Sequence, residues 1–275
     1  MTSGSEDRGR ETPGAAGRSG VNGKRVLVTG GTRGLGEQIV RLLAAEGARV
    51  ATCARTTDGL ERLAASVAAQ GHGPVFTRAL DVTGPDRLEE FADAAGIRFG
   101  GLDGVVACAG GARGGDLERA DARDWAATWE LNVGHTVRLV RAAVPHLRAA
   151  GGGSVVVIAS ISGWKPGPQA QYGAAKAAQI HLAASLAREL GADGIRVNAV
   201  SPGSMLIPGK RWDRMRRESP EAFARFAAEV PRGELVAPQE VARVVVFLLS
   251  DASSGISGAH LPVDRAQNAP SAEGY

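Results

Sequence analysis

Apolar positions along the chain fall into short, mostly β-branched runs that alternate with longer segments in which apolar residues recur every three or four positions. The short runs predict strands buried on both faces, and the longer segments predict helices with one face on a core. Strands are expected over Arg25–Thr29, Arg49–Cys53, Val75–Leu80, Leu102–Cys108, Ser154–Ala159, Ile195–Val200 and Ala259–Val263. Helices are expected over Gly34–Glu46, Gly59–Gln70, Pro85–Arg98, Asp124–Ala149, Gln171–Leu190 and Pro238–Leu249. Pro85 suits a first helical turn, and Pro145 predicts a bend in the long helix. Met205–Val230 breaks the rhythm, with a helical stretch from about Pro220. Strands that alternate with helices need right-handed crossovers, so the pattern predicts one doubly wound α/β domain. Its parallel sheet has about seven strands, with helices on both faces.

This domain is expected over residues 23–265, with a substrate lid at about 204–230. Residues 1–22 hold almost no large apolar side chain and are expected to be a disordered tail; residues 266–275 are expected to be a second tail. The 275 residues carry a net charge of +3, and both signs are spread along the helices. Aromatic side chains are few and do not interleave with Arg or Lys, so nucleic-acid binding is not expected. No segment reads as a membrane span or a signal-peptide core, so the expected location is the cytoplasm. Cys53 and Cys108 both lie in apolar strand-like runs and are expected to be reduced thiols rather than a disulfide.

The first strand leads into Thr29-Gly30-Gly31-Thr32-Arg33-Gly34-Leu35-Gly36 and then a helix. A helix start leaves backbone N–H groups unpaired, and its dipole favours an anion there. Gly30, Gly34 and Gly36 would let a pyrophosphate approach the backbone and let the helix sit close to the sheet. Tyr172 and Lys176 stand four apart on a helix and share one face. An ammonium beside a phenol favours phenolate, so the pair predicts a Tyr172 pKa below about 10 and a general acid/base. Ser160 ends the apolar strand Val155-Val156-Val157-Ile158, and Asn132 is a polar residue inside an apolar helical stretch.

Taken in order, these segments resemble the short-chain dehydrogenase/reductase family, and a 3-oxoacyl-carrier-protein reductase in particular. The likeness runs from Lys24 to Asp264 and includes Asp81-Val82-Thr83, Ala109-Gly110, Leu131-Asn132-Val133, Ile158-Ala159-Ser160, Tyr172-Gly173-Ala174-Ala175-Lys176 and Asn198-Ala199-Val200-Ser201-Pro202-Gly203. The resemblance implies a Rossmann-type fold and a catalytic set of Asn132, Ser160, Tyr172 and Lys176. Tyr172 would exchange the proton with the substrate oxygen, which Ser160 would hold. Lys176 would lower the Tyr172 pKa and bind the nicotinamide ribose. Asn132 would position a water that relays protons to Lys176. Cofactor contacts are implied for Gly30, Thr32, Arg33, Gly34, Leu35, Gly36, Arg55, Asp81, Val82, Ala109, Gly110, Tyr172, Lys176, Pro202, Gly203 and Met205, and Asn198 would brace the sheet. No metal is implied, and the family usually assembles as dimers or tetramers through its long helices.

An acidic residue after the second strand would bind a ribose 2′-hydroxyl, but Ala54 stands there, followed by Arg55. With Arg33 in the glycine turn, two guanidinium groups suit a 2′-phosphate, so the expected cofactor is NADP(H). Four segments depart from the family pattern. Cys108 replaces an asparagine, the Ser160–Tyr172 loop is one residue short, Ser204-Met205 follows Gly203 without the usual threonine, and Arg265 replaces a glycine. The expected activity is reduction of a 3-oxoacyl, polyketide-like or ring ketone. The alternatives are an alcohol dehydrogenase working oxidatively and a cofactor-binding regulatory protein without catalysis. Trp164 could wall the pocket or pack under the lid. The basic cluster of Lys210, Arg211, Arg214, Arg216 and Arg217 could attract an anionic or carrier-linked substrate, or be a solvated helix face.

Overall fold

The structure is a computed structural model that describes residues 20–268. Seven parallel strands form one sheet in the order β3-β2-β1-β4-β5-β6-β7. They are β1 Arg25–Thr29, β2 Arg49–Ala54, β3 Phe76–Ala79, β4 Gly104–Ala107, β5 Gly153–Ile158, β6 Ile195–Pro202 and β7 His260–Val263. The central strands read as unbroken apolar runs because helices cover both faces. Leu27, Val105, Val155 and Val197 face one apolar layer, built with Phe91, Leu139, Leu147 and Ala183. These come from α3 (Arg87–Phe99), α5 (His135–Ala149) and α6 (Ala170–Leu190). Val28, Val106, Val156 and Val200 face the opposite layer, with Ile39, Leu43, Leu63, Val241 and Val245. Those come from α1 (Gly34–Ala45), α2 (Thr57–Ala69) and α9 (Pro238–Leu249). The strand order reverses between β1 and β4, and a crevice outside the carboxyl ends of the strands at such a point is where doubly wound sheets take ligands.

The periodicity is right about the elements and wrong at informative places. The single helix expected over 124–149 is three pieces: α4 (Ala122–Trp129), a π-helical turn at Glu130–Gly134, and α5. The interruption is this wide turn, while Pro145 sits inside α5. Helix α3 starts at Arg87, not at Pro85, because Asp86 takes a left-handed backbone at φ 60°. In the lid region a helix α7 (Arg211–Glu218) precedes α8 (Pro220–Ala227). Of the first expected tail, residues 1–22, positions 1–19 lie outside the described residues, and Val21 does not belong to it: its side chain is fully buried with Leu43 and Val246. The second tail likewise loses Gln267, which is buried against the β6 end, while residues 269–275 lie outside the described residues. Among the described residues no helix is long and apolar enough to cross a membrane.

Arg265 replaces the family's glycine yet keeps a left-handed backbone, at φ 54°. A non-glycine residue there costs about 1 kcal/mol. Its guanidinium is held by Glu234 at 2.6 Å and Glu240 at 3.1 Å. His135, at the end of the π turn, is fully buried, and burial pushes its imidazole down to about 3, so it stays neutral at pH 7.

Candidate active site

The turn after β1 is shaped by its glycines. Gly30 and Gly34 have positive φ, at 76° and 56°. Any side chain on Gly36 would collide with the Gly30 carbonyl, so the start of α1 lies against the turn. The Ile207 side chain of the lid packs over Gly34. Thr29, fully buried, accepts hydrogen bonds at its Oγ1 from Cys108 N (3.0 Å) and Ala109 N (3.1 Å). It therefore ties the β4 end to β1 although Cys108 has replaced the asparagine. Both cysteines are free thiols, and burial pushes each up to about 12.

The π turn aims Asn132 at the same place. Asn132 Nδ2 donates to Thr128 O (2.7 Å) and Gly111 O (2.8 Å), and its Oδ1 accepts from Gly111 N (3.3 Å). A Cβ on Gly110 would lie 2.8 Å from Asn132 Oδ1 and 3.2 Å from Lys176 Nζ, so only glycine lets β4 end this close to both groups. Lys176 is buried and donates to Ile158 O (2.8 Å) and Gln179 Oε1 (2.7 Å). Two of its three N–H groups are thereby fixed. Its ammonium lies 5.5 Å from the centre of the Tyr172 ring. The Tyr172 phenol lies near enough to Ser160 for the serine side chain to favour its ionised form, and Ser160 Oγ accepts from Ser162 N at 3.1 Å. Asn132, Ser160, Tyr172 and Lys176 thus lie together at the carboxyl ends of β4 and β5.

The electrostatics differ from the expectation. Burial pushes the Tyr172 phenol above its ordinary value; nearby Ser160 opposes this and Cys108 adds to it. Burial also pulls Lys176 down to about 7, so much of its charge is lost near neutral pH and it does not lower the phenol here. The Asn132 backbone carbonyl accepts from Gln179 Nε2 (2.9 Å) and Thr136 Oγ1 (2.7 Å). Sequence reasoning misses Gln179, although it stands one helical turn after Lys176 on the same face.

Around the rim, Gln171 Nε2 donates to Arg113 O (2.7 Å) and Gly115 O (3.0 Å), pinning the loop after β4 to the start of α6. Ser204 N donates to Gln267 Oε1 at 2.8 Å, which anchors the Pro202-Gly203 turn where the family threonine is missing. Met205 pairs with Val236 and packs on the core. Asn198 braces β6 by donating to Ile256 O (2.8 Å) and accepting from Ala259 N (3.0 Å). Asp81 accepts from Thr83 N (2.9 Å) and Thr83 Oγ1 (2.7 Å), which with nearby Arg55 and Arg113 holds its carboxyl low. Arg138 donates to Val82 O at 2.7 Å, fixing that turn. Trp164 is half exposed and meets His260 edge-on at 4.9 Å, rather than lying under the lid.

The basic cluster of the lid divides. Arg216 and Arg217 pair with Asp213 at 3.1 and 3.2 Å, and Arg211 lies over Trp212. Lys210 stands within electrostatic reach of Arg33 in the glycine turn. Repulsion from Arg33 is the main reason its ammonium sits below the usual value, followed by burial, Arg214 and Arg55. The glycine turn therefore carries a positive group contributed by Arg33, Arg55 and the lid. A dinucleotide fits these residues: the turn admits a backbone-bound pyrophosphate, and the cations suit further phosphate charge.

A family model described as enoyl-(acyl carrier protein) reductase matches residues 30–265. The chain belongs to the short-chain dehydrogenase/reductase family of oxidoreductases, which bind NAD(P)(H). It is 35% identical over 254 residues to isoepoxydon dehydrogenase of Penicillium expansum, covering 90% of this chain and 95% of that one. It is 36% identical over 243 residues to the 3-oxoacyl-[acyl-carrier-protein] reductase FabG of Escherichia coli, covering 88% and 96%. L-sorbose reductase of Gluconobacter frateurii, solved in complex with NADPH and L-sorbose, superposes with a TM-score of 0.86 at 31% identity, over 92% of this chain and all of that one.

Proposed function

We propose that the protein is an NADPH-dependent ketone reductase acting on a 3-oxoacyl or ring ketone. The observation that carries this is the gathering of Tyr172, with the Lys176 amine 5.5 Å from its ring, beside Ser160 and Asn132 at the carboxyl ends of β4 and β5; burial favours the protonated phenol. Reduction of a carbonyl needs a proton donor, and a phenol that has not ionised at neutral pH is in the required form. The nicotinamide, when bound, supplies the hydride. Ser160 and Tyr172 hold the substrate oxygen by two hydrogen bonds. As negative charge grows on that oxygen, Tyr172 transfers its proton to it, because an alcohol is a far weaker acid than a phenol. Lys176 and Asn132 form the floor of the site, and Gly110, which has no side chain to crowd them, would leave room there for the nicotinamide ribose.

Arg33 and Arg55, with Lys210 and Arg214 of the lid, support a 2′-phosphate and hence NADP(H) over NAD(H). The NADPH in the L-sorbose reductase structure is in keeping with this. Exposed Trp125, Trp129 and Val137 on α4 and α5 support a homo-oligomer built through these helices, which a solution mass of one chain would contradict. The activity is tested by following NADPH absorbance with 3-oxoacyl esters, cyclic ketones and ketoses. Consumption of NADPH with at least one of these ketones is expected. Unchanged absorbance across the series, with NADPH bound, would favour a non-catalytic cofactor-binding protein.

A further inference from the structure

Lys176 does not reach the Asn132 backbone carbonyl directly; the Gln179 side chain stands between them. Gln179 is fully buried. Its Oε1 accepts from Lys176 Nζ at 2.7 Å, and its Nε2 donates to Asn132 O and to Thr136 Oγ1, both at 2.9 Å. Thr136 is buried too, and its own hydroxyl proton goes to Asn132 O at 2.7 Å. The Asn132 carbonyl sits in the π turn, where the widened backbone lets side chains enter the ladder. The carboxamide thus occupies the place where the family resemblance puts an ordered water.

We propose that Gln179 is a positioning residue of this active site: its amide replaces a bridging water and holds Lys176 at the floor of the cleft, in reach of Tyr172. This rests on the reductase reading above. The chemistry suits the task. A buried ammonium needs every N–H paired, and a side-chain carbonyl held from behind by two further hydrogen bonds is a fixed acceptor. Without it, the protonated amine loses a partner and its titration moves to lower pH.

Two variants separate this role from a packing role. Gln179→Ala leaves space for a water with three polar neighbours, Lys176 Nζ, Asn132 O and Thr136 Oγ1, which is enough to hold one. Gln179→Leu fills the space with hydrocarbon and leaves the amine unpaired. We expect Gln179→Ala to lose about fivefold in kcat/KM and Gln179→Leu about a hundredfold or more. The upper limb of the pH profile should move at least about one unit lower in Gln179→Leu only. A residue that only packs gives the reverse order, because the cavity-forming Ala variant is then the more damaged. Competitive labelling of Lys176 with acetic anhydride, read by peptide mass spectrometry, measures the amine titration without turnover. A lower midpoint in Gln179→Leu than in the parent and Gln179→Ala supports the proposal. Equal midpoints, or an Ala variant as impaired as the Leu variant, overturn it. If Gln179→Leu does not fold, Gln179→Met takes its place. Failure of the parent to reduce any ketone would count against the reductase reading, and the labelling would still decide the role of Gln179.

Discussion

Tyr172→Phe is expected to lower ketone reduction by about 10²–10⁴-fold while leaving NADPH affinity within about twofold of the parent. The substitution removes one oxygen. The ring keeps its place beside Lys176, because its position comes from α6 and not from the hydroxyl. The lost group is the phenol oxygen near Ser160, and no other phenol in the described residues can replace it, since the second tyrosine is Tyr275. Steady-state kinetics with a reducible ketone, together with cofactor binding measured by fluorescence, checks both halves. Retained turnover would show that another group delivers the proton. Loss of cofactor affinity together with turnover would show that the change disturbs the fold of the crevice rather than the chemistry.

Replacing Arg33 and Arg55 together by alanine is expected to weaken NADPH binding by about 10²–10⁴-fold and NADH binding only slightly. A hydrogen bond to a charged group contributes about 1.5–3 kcal/mol, and two such groups are removed. Both side chains are exposed, so neither holds up the core. Lys210 should rise toward its ordinary value in the variant, because repulsion from Arg33 is the largest cause of its depression. Calorimetric titration with each cofactor measures the effect. A parent that prefers NADH, or a variant weakened equally toward both cofactors, would contradict the 2′-phosphate assignment.

What is legible in the sequence follows from which forces are local. The runs Val26-Leu27-Val28 and Val155-Val156-Val157-Ile158 are apolar at every position because both faces of the sheet are covered, and a run of that kind reads as a strand from its residues alone. The Tyr172–Lys176 spacing is legible for a similar reason, since one helical turn fixes the shared face. The depth of burial is not local. A four-residue spacing says that an amine lies near a phenol, but desolvation of both, which sets Lys176 at about 7 and raises Tyr172, comes from β4, β5 and the π turn packing around them. The π turn itself is hidden because Leu131-Asn132-Val133 carries the same apolar spacing as an ordinary helix. Val21 and Gln267 read as tail residues, one apolar residue in a polar stretch and one polar residue near the end. Each is buried by contacts with segments far away in the chain. Helix α7 is dominated by charge, so the periodicity shows no apolar face to mark it.

A direct titration of the Tyr172 phenol bears most closely on the proton donor at the centre of this reading. The chain has two tyrosines, so a Tyr275→Phe protein carries Tyr172 alone, and tyrosinate absorbance then reports a single group. Burial should move its midpoint above the ordinary value of about 10, and Ser160→Ala, which removes a hydroxyl that favours the ionised form, should move it higher still. A midpoint at about 10 that Ser160→Ala leaves unchanged would show a phenol in open solvent, out of reach of the serine and unable to serve as the shielded acid of this site.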